Sequence, residues 1–183
     1  PERSGGIDLP AVAFRGTALD VNDPTGFFNR GRAVAARSDA VHLEVKPKPA
    51  AWTDATGLPA ASLLLKDESE LPKEVHVGDP VTRTIRVQAQ GLGFEQVPEL
   101  DLPSVDGAEI YPDKADTRTR DDGEWRYGER VRKFAFVPNR AGPLTIPGLK
   151  MRWLDTVHDT AEIPELPPHP INVFPPIRGF AAP

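Results

Sequence analysis

Cysteine is absent from all 183 residues. That excludes disulfides and every metal site built on thiolates. It leaves the compartment open, because cytosolic chains and many periplasmic ones lack free thiols alike. No stretch approaches the ~20 apolar residues of a membrane-spanning helix. No basic segment followed by an apolar one reads as an export signal. The chain begins at Pro1 without Met and is read as a piece excised from a longer protein. A basic face is missing as well: the net charge is −5 and the pI about 5.4. Phosphate backbones need clustered Lys and Arg. The one short run, Arg130, Arg132 and Lys133, is interleaved with Val131 and Phe134 and is expected on the wet face of a strand. Nucleic-acid binding is excluded on this ground.

Catalytic patterns are equally scarce. His42, His76, His158 and His169 stand at no metal-ligand spacing, and no H-E-x-x-H occurs. Ser4, Ser38, Ser62, Ser69 and Ser104 lie in no G-x-S-x-G elbow. Asp113, Asp116, Asp121, Asp122 and Glu124 cluster in sequence. A glycosidase would need two carboxylates facing across a cleft, whereas acids beside Asp-Gly read as solvated turn residues. Asp20-Val21-Asn22-Asp23-Pro24 resembles the interdomain calcium segment of cadherins. It lacks the further acidic motifs of that family, so an Asx-type loop is the expectation. Trp125 and Trp153 sit in strand-like contexts and are expected in a core, and Trp52 in a linker. No catalytic, cofactor-binding or metal-ligating residue is assigned, and the chain is read as not an enzyme.

Proline is abundant instead, with 21 residues, roughly twice the usual share. Proline interrupts helices and central strands, so short strands bounded by turns are expected. Apolar residues make up 39%, enough for a packed core. Val81 to Ala89 alternates, with Val81, Ile85, Val87 and Ala89 on one side. Gly78-Asp79-Pro80 precedes this strand and Gly91 ends it. Trp125, Tyr127 and Val131 share one parity and Phe134 and Phe136 the other, which predicts a β-bulge near Arg132-Lys133. Asp106-Gly107 and Asp122-Gly123 are predicted turns. Leu144, Ile146, Leu149 and Met151 flank Pro147, which indicates an edge or a bulge. The pattern predicts an all-β chain of immunoglobulin-like sandwich modules.

An internal repeat organises these strands. Pro1 to Arg15 reads like Pro138 to Arg152, pairing Ile7 with Leu144, Leu9 with Ile146, Val12 with Leu149 and Phe14 with Met151. Further on, Leu43-Glu44-Val45-Lys46-Pro47 matches Ile171-Asn172-Val173-Phe174-Pro175. Two blocks repeated in the same order indicate tandem modules, not a solenoid. The expected organisation is the C-terminal part of a first, truncated module over 1–49 and a linker over 50–60. A complete module over 61–175 and an exit tail over 176–183 follow.

The second copy resembles the BatD oxygen-tolerance family over about residues 58–175. The resemblance rests on motifs in sequence order. They are Leu58-Pro59-Ala60 with Leu63 and Leu65, then Gly78 to Ile85, Ala89-Gln90-Gly91-Leu92 and Gln96-Val97-Pro98-Glu99-Leu100. Tyr111-Pro112-Asp113, Pro138 to Pro147 and Trp153-Leu154-Asp155 complete the set. Arg152-Trp153-Leu154-Asp155 departs from the family in carrying one aromatic where two are usual. The resemblance implies a periplasmic, non-catalytic region of a bacterial protein held in the inner membrane by an anchor elsewhere in the parent chain. It also implies a place in aerotolerance or envelope stress. The implied partners are envelope proteins, von Willebrand A-domain proteins among them, together with a MoxR-type ATPase; no cofactor is implied. A glycan- or calcium-binding module on the same sandwich is the alternative expectation.

Overall fold

The computed structural model describes residues 3–18, 31–50 and 57–177. The segment Asp20 to Pro24 and Trp52 lie outside them. The chain is all-β and divides into two compact units, Pro1–Lys48 and Pro49–Pro183.

Unit 2 carries the core. Its larger sheet has five strands: β6 (Ser62–Asp67), β8 (Val81–Gln90), β9 (Ala108–Pro112), β10 (Asp116–Asp121) and β11 (Arg126–Pro138). They run in the order β10-β11-β8-β6, with β9 beside the far end of β11. A 3₁₀ turn, Phe94–Gln96, follows β8. The remaining strands are β12 (Gly142–Ile146), β13 (Leu149–Lys150), β14 (Trp153–Asp155), β15 (Thr160–Glu162), β16 (Glu165–Leu166) and β17 (His169–Phe174). These six form one long interrupted hairpin, because Gly142↔Val173, Leu149↔Leu166 and Trp153↔Glu162 all share a single register. Two short strands extend it in parallel: β5 (Leu58–Ala60) on β14 and β7 (Glu74–His76) on β17. Strand β5 falls at the end of the stretch expected as linker. Ile85, Val87, Phe134 and Phe136 of the large sheet join Leu144, Ile146, Ile171 and Val173 of the hairpin in one buried cluster. The two layers therefore share a core in a β-sandwich-like arrangement.

The alternation read in the sequence is realised in β8, with Val81, Ile85, Val87 and Ala89 all buried. The predicted bulge is not there. Strand β11 pairs with β8 without interruption from Tyr127↔Gln90 to Phe136↔Val81. Facing is then constant along it: Gly128, Arg130, Phe134, Phe136 and Pro138 are buried, and Tyr127, Glu129 and Val131 alternate with them outward. Trp125 consequently lies in the turn before β11, 38% exposed, and not in the core. Trp153 is buried.

Gly128 holds its place because of a close approach. A Cβ built on it would stand 2.5 Å from the carbonyl carbon of Gly93 and 2.8 Å from the Phe94 nitrogen. Both obstacles are backbone, so they cannot rotate away. Gly128→Ala is expected to destabilise unit 2 by about 1–3 kcal/mol through overpacking, measured as a fall in the urea midpoint at unchanged slope.

Unit 1 repeats the hairpin alone. Its strands are β1 (Gly5–Leu9), β2 (Ala13–Ala18), β3 (Arg32–Arg37) and β4 (Val41–Val45). Gly5↔Val45, Ile7↔Leu43 and Gly16↔Val34 pair as Gly142↔Val173, Leu144↔Ile171 and Trp153↔Glu162 do. Gly5 and Gly142 both adopt positive φ, 113° and 127°, a region open to glycine. The sequence repeat is thus a repeat of strand register.

Candidate interaction surfaces

The polar groups of unit 2 fall into several separate sets. The first is buried. Arg83 has the parity of Val81 and Ile85, and only 1% of it is exposed. Its Nε and Nη2 reach Asp67 Oδ2 at 2.9 and 2.8 Å. Its Nη1 donates to the Pro147 carbonyl and its Nη2 to that of Pro167 at 3.0 Å. One guanidinium thereby ties β8 and β6 to the two proline turns of the hairpin. A planar fork of five donors can serve several acceptors at once.

The second set explains the cations of β11. Arg130 is buried rather than wet: it donates to Glu99 Oε1 at 2.8 Å and to the Val97 carbonyl at 3.1 Å. Arg132 donates to the Leu100 carbonyl at 2.8 Å and to Asp101 at 3.1 Å. The loop after the 3₁₀ turn folds over the inner face of the sheet and supplies acceptors there. Only Lys133 of this trio is exposed, as expected of all three.

On the outer face, Arg86 bridges Glu68 at 2.7 Å and Glu129 at 2.8 Å, and Arg118 joins Glu129 at 3.2 Å. Hydrogen bonding to Arg86 holds the Glu68 carboxyl below its ordinary range. Arg120 stacks on the Tyr127 ring, 4.3 Å from its centroid. Arg86, Glu68 and Glu129 form the half-buried centre of this ladder, and Arg118 its exposed end, where pairing contributes little stability.

Of the acids expected as turn residues, Asp113, Asp122 and Glu124 lie outside the strands, whereas Asp116 and Asp121 are the two ends of β10. Asp122 Oδ1 accepts the Glu124 and Trp125 N–H groups at 3.1 and 2.7 Å. Those bonds hold its pKa down. Asp121 pairs with Arg126 at 3.1 Å. Asp113 accepts the Lys114 N–H. Among the described residues, no three His, Asp or Glu side chains gather as metal ligands.

The histidines are dispersed. His42 meets Asp8 at 2.6 Å, His76 lies 3.4 Å from Asp79, and His169 meets the Pro72 carbonyl at 3.1 Å. His158 occupies the β14–β15 turn. There the buried Asp155 accepts its Nδ1 at 2.7 Å and the N–H groups of Val157 and His158 at 2.8 and 3.0 Å. Thr156 secures the same turn to β5 by donating twice to the Ala60 carbonyl. The bond to Asp155 raises His158 above its ordinary 6.5, and the same bond lowers Asp155 below 3.8. The histidine's contribution is complete below pH 6.5 and vanishes as pH rises through its raised pKa. The carboxylate's is complete above 3.8 and vanishes as pH falls through its lowered one. The turn is therefore tightest between these limits. An NMR titration of His158 should give a midpoint above 6.5, and Asp155→Asn should return it toward that value.

Ser38 and Ser69 serve the backbone, and Ser62 a neighbouring side chain. Ser38 accepts the Val12 N–H and Ser69 the Thr84 N–H, while Ser62 donates to Gln90. None of these is beside a histidine. A shallow groove of about 510 Å³ opens along β9, lined by Leu102, Val105, Ile110, Phe134, Asp101 and Glu109.

Sheet edges are the remaining surfaces. In the larger sheet of unit 2, β10, β9 and β6 have one unpaired side among the described residues. The open strands carry Asp116, Arg118, Arg120, Glu109, Pro112 and Lys66. Charge and proline at an edge discourage strand addition. Unit 1 differs. The face holding Ile7, Leu9, Val41 and Leu43 is free of charge, and Leu9, Val41 and Leu43 are 48%, 49% and 46% exposed. Asp8, His42 and Glu44 occupy the opposite face. The sequence repeat pairs Ile7, Leu9 and Leu43 with Leu144, Ile146 and Ile171 and leaves out Val41; the exposure of this face is seen only in the structure. Comparison of the chain with protein-family models, with curated proteins and with solved structures finds no match.

Proposed function

We propose that this chain is a non-catalytic interaction module built of tandem immunoglobulin-like sandwiches, the first of them truncated. In this reading it is the periplasmic region of a BatD-like protein anchored in the bacterial inner membrane. It scaffolds a complex with von Willebrand A-domain proteins and a MoxR-type ATPase in oxygen tolerance or envelope stress. The observation that carries the reading is the hairpin that occurs twice in one register, buried in unit 2 and bare in unit 1. A charge-free apolar face of this kind marks a surface made to be covered. The polar groups of unit 2 support the same view. Arg83, Arg130, Asp122 and Asp155 are each engaged with neighbouring backbone or counter-charges, as groups with structural work are.

The test is recovery of partners from bacterial membranes by the full chain. Enrichment of a von Willebrand A-domain protein is the expected result. Recovery of no envelope protein would defeat the reading. The calcium alternative rests on Asp20 to Pro24, outside the described residues. Titration with Ca²⁺ should give no heat and no change in melting temperature.

A further inference from the structure

The bare face of unit 1 has a counterpart whose cover is visible. Leu144, Ile146 and Ile171 of unit 2 occupy the positions of Ile7, Leu9 and Leu43. They are 5%, 0% and 2% exposed, beneath Val81, Ile85, Phe134 and Phe136 of the large sheet. The edges of the unit 2 hairpin are used too. Val75 of β7 adds in parallel opposite Val173, and Leu58 of β5 opposite Trp153. The corresponding positions in unit 1 are Val45 on β4 and Gly16 on β2, strands that pair only with β1 and β3 respectively among the described residues.

From this correspondence we infer that the face of Ile7, Leu9, Val41 and Leu43 is the docking surface for a separate β-sheet layer. That layer has a mainly aliphatic and Phe inner face, like the face on which Val81, Ile85, Phe134 and Phe136 lie, with an edge strand that adds in parallel along β4. The inference rests on the tandem-module reading and names what completes the first module. The layer is not the large sheet of a second copy, because the inner face of that sheet lies buried beneath its own β12 and β17. Charge separation across the hairpin agrees: Asp8, His42 and Glu44 remain in water when the other face is covered. A two-stranded ribbon is marginal by itself, so covering this face also fixes its conformation.

The test supplies such a layer to the full chain. A second copy of residues 57–138 is joined to its N-terminus by a flexible glycine-serine linker, and amide hydrogen exchange is followed across β1 and β4. Exchange there should slow by roughly 100-fold, as for amides that open only when packed layers separate. Leu9→Glu with Leu43→Glu in the fused chain should remove the protection and leave β8 unchanged. An appended layer that leaves β1 and β4 exchanging as before, folded or not, overturns the inference. So does protection of β1 and β4 in the unfused chain that grows with concentration alongside a doubled mass in sedimentation, since the occupant is then a second copy. Neither result depends on envelope partners, so failure here is distinguishable from failure of the membrane recovery experiment.

Discussion

Arg83→Ala is expected to cost unit 2 about 3–5 kcal/mol, the penalty typical of breaking a buried ion pair by deleting one member. Domain stabilities are about 5–15 kcal/mol, so this single change removes a large share. The cause is geometric. Three acceptors converge on one guanidinium: the Asp67 carboxylate and the Pro147 and Pro167 carbonyls. Removing the donor leaves all of them short of partners and opens a void between β8 and the hairpin turns. Two further variants separate charge from shape. Arg83→Met with Asp67→Leu removes both charges and fills volume, so it should recover part of the loss, the two carbonyls remaining unpaired. Arg83→Lys keeps the charge without the fork and should fall between the wild type and Arg83→Ala. Urea unfolding followed by circular dichroism measures each midpoint. A shift below about 1 kcal/mol for Arg83→Ala would sink the proposed role, because ordinary surface substitutions already span half that.

Arg83 also shows what was legible in the sequence. Its position in Val81-Thr82-Arg83-Thr84-Ile85 has the parity of the buried residues on either side. The alternation as read from the sequence puts only Val81, Ile85, Val87 and Ala89 on that side, although a charged residue at an inward parity signals a partner. The partners could not be read, because Pro147 and Pro167 lie 64 and 84 residues away. The same distance effect produced the mistaken bulge. Trp125, Tyr127 and Val131 on one parity and Phe134 and Phe136 on the other imply a bulge only if both sets face the core, whereas Arg130 takes the inward position that shares the parity of Phe134. The loop carrying Glu99 and Asp101 supplies acceptors on that face, and local sequence holds no trace of this closure. Strands β8 and β11 and the turns at Gly107 and Gly123 were legible because period and glycine are local properties. Strands β5 and β7 have three residues each and exist by parallel pairing to distant strands, which no short-range pattern encodes.

The repeat gave the most and concealed the most. It correctly aligned Ile7 with Leu144 and Leu43 with Ile171, and the strand pairing confirms this alignment residue by residue. It marked the first copy as part of a truncated module but did not disclose which of its faces stands open. Composition of a strand states which face is apolar, whereas burial depends on whether another layer arrives. Unit 1 and unit 2 separate these two variables within one chain.

That separation gives the second large effect, a matched pair of substitutions at equivalent positions. Ile146 and Leu9 end the corresponding strands and are 0% and 48% exposed. Ile146→Asp should destabilise unit 2 by at least about 4 kcal/mol, because it deletes buried aliphatic volume and places an unpaired carboxylate in the shared core. Ile146→Ala grades the same site at about 2–5 kcal/mol, without the charge, should the aspartate variant fail to fold. Leu9→Asp, chemically the same change at the repeated position, should move the unit 2 urea midpoint by no more than about 0.5 kcal/mol. A large loss for Leu9→Asp would mean that its face is already covered in the free chain. A small loss for Ile146→Asp would mean that the two layers of unit 2 do not share a core. With a complementary sheet in place, Leu9→Asp should become costly in its turn, since only the arrival of that layer distinguishes the two positions.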